Sequence, residues 1–262
     1  MQNHEEMRNV MLAAERRDHL LETLRRDGKV VAKTAAAELG LSEDSIRRDL
    51  RELAAEGLCQ RVYGGALPVS PAVVDYAGRQ QVEVAGKERV AAAAVRLIDP
   101  GSTVILDGGT TALAVARALP PDLECTVVTH SPTVATALVE HPVAEVFVLG
   151  GRLFKHSAVA SGAAAVEAAQ RISADVFLLG VTGIHPDAGL TTGDADEAAM
   201  KRALAGRAAE TFVLGSSEKV GAASPFEVIG FDAVAGVVTD ADPGSDVMAR
   251  LGELVRVIGA GA

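Results

Sequence analysis

The stretch "SIRRDLRELAAEGLCQRVYGGA", Ser45 to Ala66, decides how the first part of the chain folds. On a helical wheel turning about 100° per residue, Ile46, Leu50 and Leu53 fall together as a stripe to be buried, and Arg47, Arg48 and Arg51 gather on the opposite side. Gly57 closes this helix. "LCQRVYGG" then reads as a short hairpin that carries Arg61 beside Tyr63 and Gly64. These arginines stand together in a chain whose formal net charge is -10, so their position, not the overall charge, must carry their meaning.

Upstream, Arg16 to Arg26 reads as a helix with Leu20, Leu21 and Leu24 on one side, ended by Asp27-Gly28. An Ala-rich helix from Lys33 to Leu39 follows and stops at Gly40. Ser42 is a natural N-cap for the next helix, with Glu43 and Asp44 suited to its positive end. Two helices across a short Gly-containing turn, then a basic hairpin, make a winged helix-turn-helix. The helix fits the major groove of double-stranded DNA and the wing lies along the backbone. A charged helix face is more often simply solvated; here the hairpin that follows favours DNA. The DNA-facing set is Lys33, Ser42, Ser45, Arg47, Arg48, Arg51, Arg61, Tyr63 and Gly64.

Residues 1–67 hold 11 Lys/Arg and 12 Asp/Glu, and the remaining residues hold 14 and 23. The acidic excess therefore lies in the second part, which should face away from DNA. Aromatic residues make up 3% of the chain and Trp is absent, which argues against stacking platforms for single-stranded nucleic acid. Cys59 and Cys125 have no metal-ligand or redox spacing, and two buried thiols in a reducing, cytoplasmic setting are expected. No signal peptide or membrane span is read, and Met7 and Met11 are alternative starts.

Residues 1–14 read as a tail, 15–67 as the winged helix-turn-helix, 68–86 as a Pro- and Gly-punctuated linker, and 87–262 as a second domain whose first helix runs from Lys87 to Ile98. From there "STVILD", "CTVVTH", "AEVFVLG", "ADVFLLG", "ETFVLG" and "AVAGVVTD" alternate with Ala-rich helical stretches. Apolar strands alternating with helices indicate an α/β domain with a largely parallel sheet and flanking helices. In such sheets the carboxyl ends of the strands converge on one crevice. "DGGTT" at Asp107 to Thr111 offers backbone N–H groups and hydroxyls to a phosphate, although a glycine turn with Thr caps is equally ordinary strand-to-helix chemistry. Thr129, His130 and Ser131, then Gly150, Gly151 and Arg152, then Ser216 to Lys219 end other strands. Asp194, Asp196 and Glu197 sit where plain helix capping competes with ligand binding.

"LGLSEDSIRRDLRELAAEGLCQRVYGGAL" resembles the DNA-binding domain of the DeoR family of bacterial transcription regulators, and "DGGTT", "LGGR", "GLTTGDADEAAMKRAL" and "SSEK" fall in the order of that family's sensor domain. The likeness runs from about Glu15 onward. It implies a repressor of carbohydrate-metabolism genes, without a cofactor or metal, whose grip on operator DNA is controlled by a phosphorylated sugar. The family's sensor domain is similar to ribose-phosphate isomerases. Carried over, the effector site would comprise Arg79, Lys87, Asp107, Gly109, Thr110, Thr111, Thr129, Ser131, Gly150, Gly151, Arg152, Asp194 and Lys219. Two positions depart from the family pattern. His130 stands where Asn is common, and Ser216 where Asp is common. A homodimer or tetramer is expected, since one monomer presents few phosphate contacts. The rival class is a sugar-phosphate isomerase with an appended helical domain, which would need a carboxylate base such as Asp107, Asp194 or Glu218.

Overall fold

The computed structural model describes residues 12–261, which divide into two compact units, one ending at Val69 and the other starting at Ser70.

In the first unit, helix α1 (Ala13–Asp27) is followed by a two-residue strand β1 (Val30–Val31), α2 (Ala32–Leu39), α3 (Glu43–Ala55), β2 (Gln60–Val62) and β3 (Gly65–Leu67). Gly28 and Gly40 end α1 and α2 in the left-handed conformation that glycine adopts without strain. The Ser42 side chain accepts the Ser45 N–H, which caps α3 as its sequence predicts. Leu20, Leu24, Ile46, Leu50 and Leu53 form the buried core with Val30 and Ala66. Asp49 points inward on α3, where Arg16 of α1 grips it with two nitrogens, Nη2 to Oδ1 at 2.8 Å. A two-residue turn, Tyr63-Gly64, joins β2 to β3, and β3 also pairs with β1. Gly65 is obligatory there: a Cβ would lie 1.8 Å from the Val30 carbonyl oxygen.

The second unit opens with a 3-10 turn (Pro71–Val73), the one-turn helix α4 (Tyr76–Arg79) and α5 (Val84–Ala94). A seven-stranded sheet follows, built from β4 (Thr103–Leu106), β5 (Thr126–Thr129), β6 (Glu145–Val148), β9 (Ala174–Gly180), β12 (Ala208–Gly215), β14 (Gly236–Thr239) and β15 (Val257–Gly259). Its order is β15-β14-β12-β9-β4-β5-β6 and every pairing is parallel. Helices α5, α6 (Thr110–Ala118) and α7 (Pro132–Ala137) cover one face. Helices α8 (Ala163–Ala169), α9 (Ala195–Ala205) and α10 (Asp246–Leu254) cover the other. Two antiparallel additions sit outside this sheet: the hairpin β7 (Arg152–Phe154) with β8 (Val159–Ser161), and a three-stranded set of β10 (Gly183–His185), β11 (Gly189–Thr192) and β13 (Phe226–Glu227).

Several expectations need correction. Residues 1–11 of the predicted tail lie outside the described residues, but Ala13 and Ala14 are already helical, with the Glu15 carboxylate accepting the Leu12 N–H at 3.0 Å. The stretch 70–86, read as a linker, belongs to the second unit, with Ser70, Ala72 and Arg79 buried. Helix α5 starts at Val84, not Lys87, because Gly86 does not break it; its missing Cβ leaves room for the Asp240 carboxylate, which a methyl group would meet at 2.6 Å. Strands β1, β7, β8, β10, β11, β13 and β15 are too short or too polar to announce themselves by alternation.

Candidate functional site

Two groups of side chains stand out, one in each unit. On α3, Arg48 and Arg51 are exposed and make no side-chain hydrogen bond or ion pair among the described residues. Arg47 differs: it donates to Glu43 at 2.7 Å and lies 3.8 Å from Asp44. Lys33 and Arg61 are exposed, and the Tyr63 side chain stands clear of the wing in solvent. Gly64, at φ +82°, makes the turn that projects it. Ser42 and Ser45 are committed to the cap, their hydroxyls 2.9 Å apart. The unit thus offers a recognition helix and a wing tip with uncommitted cations.

In the second unit the strand order reverses between β4 and β9, so their carboxyl ends part and leave a crevice. A cavity of about 30 Å³ occupies it, lined by Gly108 to Thr111 after β4, Gly180 to Thr182 after β9, and Lys219 after β12. Ala72, Arg79, Val82 and Lys87 close one wall, and Ser157, Glu197 and Lys201 another. Gly109, at φ +96°, turns the chain so that the N-terminus of α6 faces the space.

Asp107 lies beneath, fully buried. Its Oδ2 accepts the Lys201 ammonium at 2.6 Å and the Gly180 N–H at 2.8 Å, and Oδ1 accepts the Gly108 N–H at 2.8 Å. Lys201 also lies 3.3 Å from Glu197, whose other oxygen accepts the Ser157 hydroxyl at 3.1 Å. Burial works to lower the Lys201 pKa, but the charges and hydrogen bonds of Asp107 and Glu197 prevail and raise it. Lys201 is therefore a settled charge.

The other cations are not settled. Lys219 donates to the Thr111 hydroxyl at 3.0 Å and touches no carboxylate; burial brings its pKa down to about 8, with Lys87, Arg79 and Lys201 adding to the effect against Glu218. Lys87 donates only to the carbonyls of Arg79, at 2.6 Å, and Val82, and Arg79 only to the carbonyl of His156, at 3.0 Å. Burial lowers the pKa of both. The Arg79 Nε and one Glu218 oxygen are buried without a partner. The other Glu218 oxygen accepts the Ser216 hydroxyl at 2.8 Å.

Of the effector residues read from sequence, Arg79, Lys87, Gly109, Thr110, Thr111 and Lys219 line the cavity, and Asp107 supports it. Thr129 and Ser131 do not line it. They tie the end of β5, Thr129 accepting the Ser131 N–H and the Ser131 hydroxyl donating to the Ala158 carbonyl. Gly150, Gly151 and Arg152 lead into the β7–β8 hairpin, with Arg152 exposed. Asp194 caps α9, accepting the Glu197 N–H at 2.9 Å. His130 is buried with both ring nitrogens unpartnered, its Nε2 3.6 Å from Asp107, and burial lowers its pKa toward the neutral form. Sequence reasoning missed Lys201 and the place of Glu197 on the cavity wall. Their four-residue spacing on α9 was the available signal. Among the described residues no cluster of three His, Cys, Asp or Glu could hold a metal, and no helix is long and apolar enough to cross a membrane.

Comparison with known proteins fits both units. Residues 16–72 match the DeoR-like helix-turn-helix domain, and residues 82–241 match the DeoR C terminal sensor domain. The HTH-type transcriptional regulator GlpR of Haloferax volcanii is 34% identical over 233 residues, covering 88% of this chain and 91% of that one. The glycerol-3-phosphate regulon repressor of Escherichia coli is 30% identical over 239 residues, covering 91% and 95%. Among solved structures, ribose 5-phosphate isomerase A from Methanocaldococcus jannaschii aligns with 51% of this chain and 52% of its own at 18% identity and a TM-score of 0.38, a likeness too loose to carry an argument. On the strength of the two domain matches and the full-length relatives, this chain belongs to the DeoR family of transcriptional regulators.

Proposed function

We propose that the chain represses carbohydrate-metabolism genes by binding operator DNA as a homodimer or tetramer in the cytoplasm, and that a phosphorylated sugar in the cavity at the β4–β9 switch point releases it. Arg48, Arg51 and Arg61, with Lys33 and Tyr63, would meet the duplex, since an arginine fork suits both phosphate oxygens and guanine edges. The observation that carries the sensor half is the presence of three buried cations, Arg79, Lys87 and Lys219, whose hydrogen bonds go only to neutral oxygens. Buried charge is costly without a counter-charge, and a phosphate would supply one. Thr110, Thr111 and the N–H groups at the start of α6 complete a phosphate cradle. The isomerase alternative falls, because the relatives matched along nearly their full length are transcriptional regulators and Asp107 is bound up with Lys201.

Fluorescence anisotropy with the DNA upstream of its own gene, at two salt concentrations and with a panel of phosphorylated sugars and their unphosphorylated parents, tests both halves. Salt-sensitive binding that one phosphosugar reverses and its parent does not is expected. Binding indifferent to every phosphosugar would remove the sensor half.

A further inference from the structure

Two cavities meet at Lys87. Beside the one of about 30 Å³, a groove along α5 and α6 has a volume of about 490 Å³, and Lys87 and Thr110 line both. A space of about 30 Å³ falls well short of small-molecule pockets, which run to about 300–1,000 Å³. A phosphosugar fits beside Lys219 only if the wall between the two gives way.

That wall is the strap 70–82. It packs against the rest of the unit through buried Ser70 and Ala72, but few hydrogen bonds tie it. The Tyr76 N–H and Arg79 Nη2 donate to the His156 carbonyl at 2.8 and 3.0 Å, and the Lys87 ammonium donates to the carbonyls of Arg79, at 2.6 Å, and Val82. The strap joins α5 at Glu83, whose φ of +43° puts a non-glycine residue in the left-handed region. Closed, it leaves the Tyr76 hydroxyl and the Arg79 Nε buried without partners. A strained junction and two unsatisfied donors mark a closed state that an alternative can rival.

We propose that Lys87 is the latch of this strap: an anionic ligand entering along the α5–α6 groove draws the Lys87 ammonium off the carbonyls of Arg79 and Val82, and the strap swings out about Glu83. The proposal rests on reading the smaller cavity as the phosphosugar site. It also gives the effector a route to the DNA-binding unit, because the strap begins at the residue after that unit ends. A ligand shifts a conformational equilibrium only by binding one state better, and Lys87 supplies that difference by serving either the carbonyls or the anion.

Hydrogen-exchange mass spectrometry on the full chain tests it, with inorganic phosphate as the probe, chloride at matched ionic strength as the control, and calorimetry to measure phosphate binding. Phosphate should bind and speed exchange over residues 76–82 by about fivefold or more. Lys87→Met, which keeps the apolar stem and removes the ammonium, should exchange at that faster rate without phosphate. Tyr76→Phe lies outside both cavities and removes an unsatisfied hydroxyl from the closed strap; it should slow exchange and raise the phosphate midpoint by about threefold. Phosphate that binds without changing strap exchange, or a Lys87→Met strap as protected as the wild type, overturns the latch and leaves the phosphate site standing. Absence of phosphate binding overturns both. If Lys87→Met does not fold, a Tyr76→Phe chain with unchanged exchange and midpoint overturns the latch.

Discussion

Arg48 on α3 and Lys219 behind β12 are both cations without a carboxylate partner, yet one stands in solvent and the other is 5% exposed. On the proposed reading the arginine keeps its hydration until DNA replaces it, so its contribution would add to that of its neighbours and weaken with salt. The lysine has already lost its water, and the fall of its pKa to about 8 reports that loss. The exposed face is a sum of independent contacts. The cavity is a single charge arrangement in which each member depends on the others, and its lining comes from six separate stretches of chain.

That contrast can be broken first at Lys201. Lys201→Met leaves Asp107 and Glu197 buried and uncompensated, and should destabilise the second unit by about 3–5 kcal/mol, measured by chemical denaturation. The first unit, with its own core, should keep its transition. A loss below about 1 kcal/mol would mean that the carboxylates have other partners and that the cavity is no single arrangement. Arg48→Ala should show the opposite pattern. Operator binding should fall by about 1–3 kcal/mol, while stability stays within about 0.5 kcal/mol. Equal operator affinity in a titration would remove Arg48 from the interface.

The pH dependence sharpens the comparison. A buried lysine with a depressed pKa burdens the fold while it is charged, so its share of stability rises between about pH 8 and its unfolded value near 10.4. Phosphosugar binding runs the other way, because the anion needs the ammonium: affinity should fall by up to about tenfold from pH 7.5 to 9, while DNA affinity in the absence of effector, resting on arginines, should not. An effector response that is flat across that range would place the phosphate away from Lys219. The smallest effect belongs to Arg47→Ala. With Glu43 at 2.7 Å already engaging that guanidinium, the cost to DNA binding should fall well below that of Arg48→Ala, and helix stability should change by about 0.3–0.5 kcal/mol.

The exposed face was legible because helical periodicity sorts Arg47, Arg48 and Arg51 from Ile46, Leu50 and Leu53 within a few residues of chain. The six apolar strands were legible for the same local reason, each being a short run bounded by polar turns. The cavity was legible in part. "DGGTT" and Lys219 could be placed at strand ends, but Lys201 looked like one more surface lysine on a helix, since nothing nearby in sequence shows that Asp107 waits beneath it. Arg152 and Asp194 lie off the cavity lining for the converse reason. Each sits at a strand end or helix start, as a ligand residue would, and the hairpin β7–β8 and the α9 cap use them otherwise. The strap hid best of all: Pro and Gly punctuation reads as linker whether or not tertiary packing buries it.

The order of the sheet also has a consequence during synthesis. The chain of the DNA-binding unit is complete by Val69, but β9, β12, β14 and β15, which make up more than half of the central sheet, emerge only later, the last at Gly259. At about 5–20 residues per second, the intervening stretch of about 190 residues takes the ribosome about 10–40 seconds. Throughout that interval a nascent chain carries a finished recognition helix and no pocket. The first unit can therefore fold on its own core before the sheet it is joined to exists.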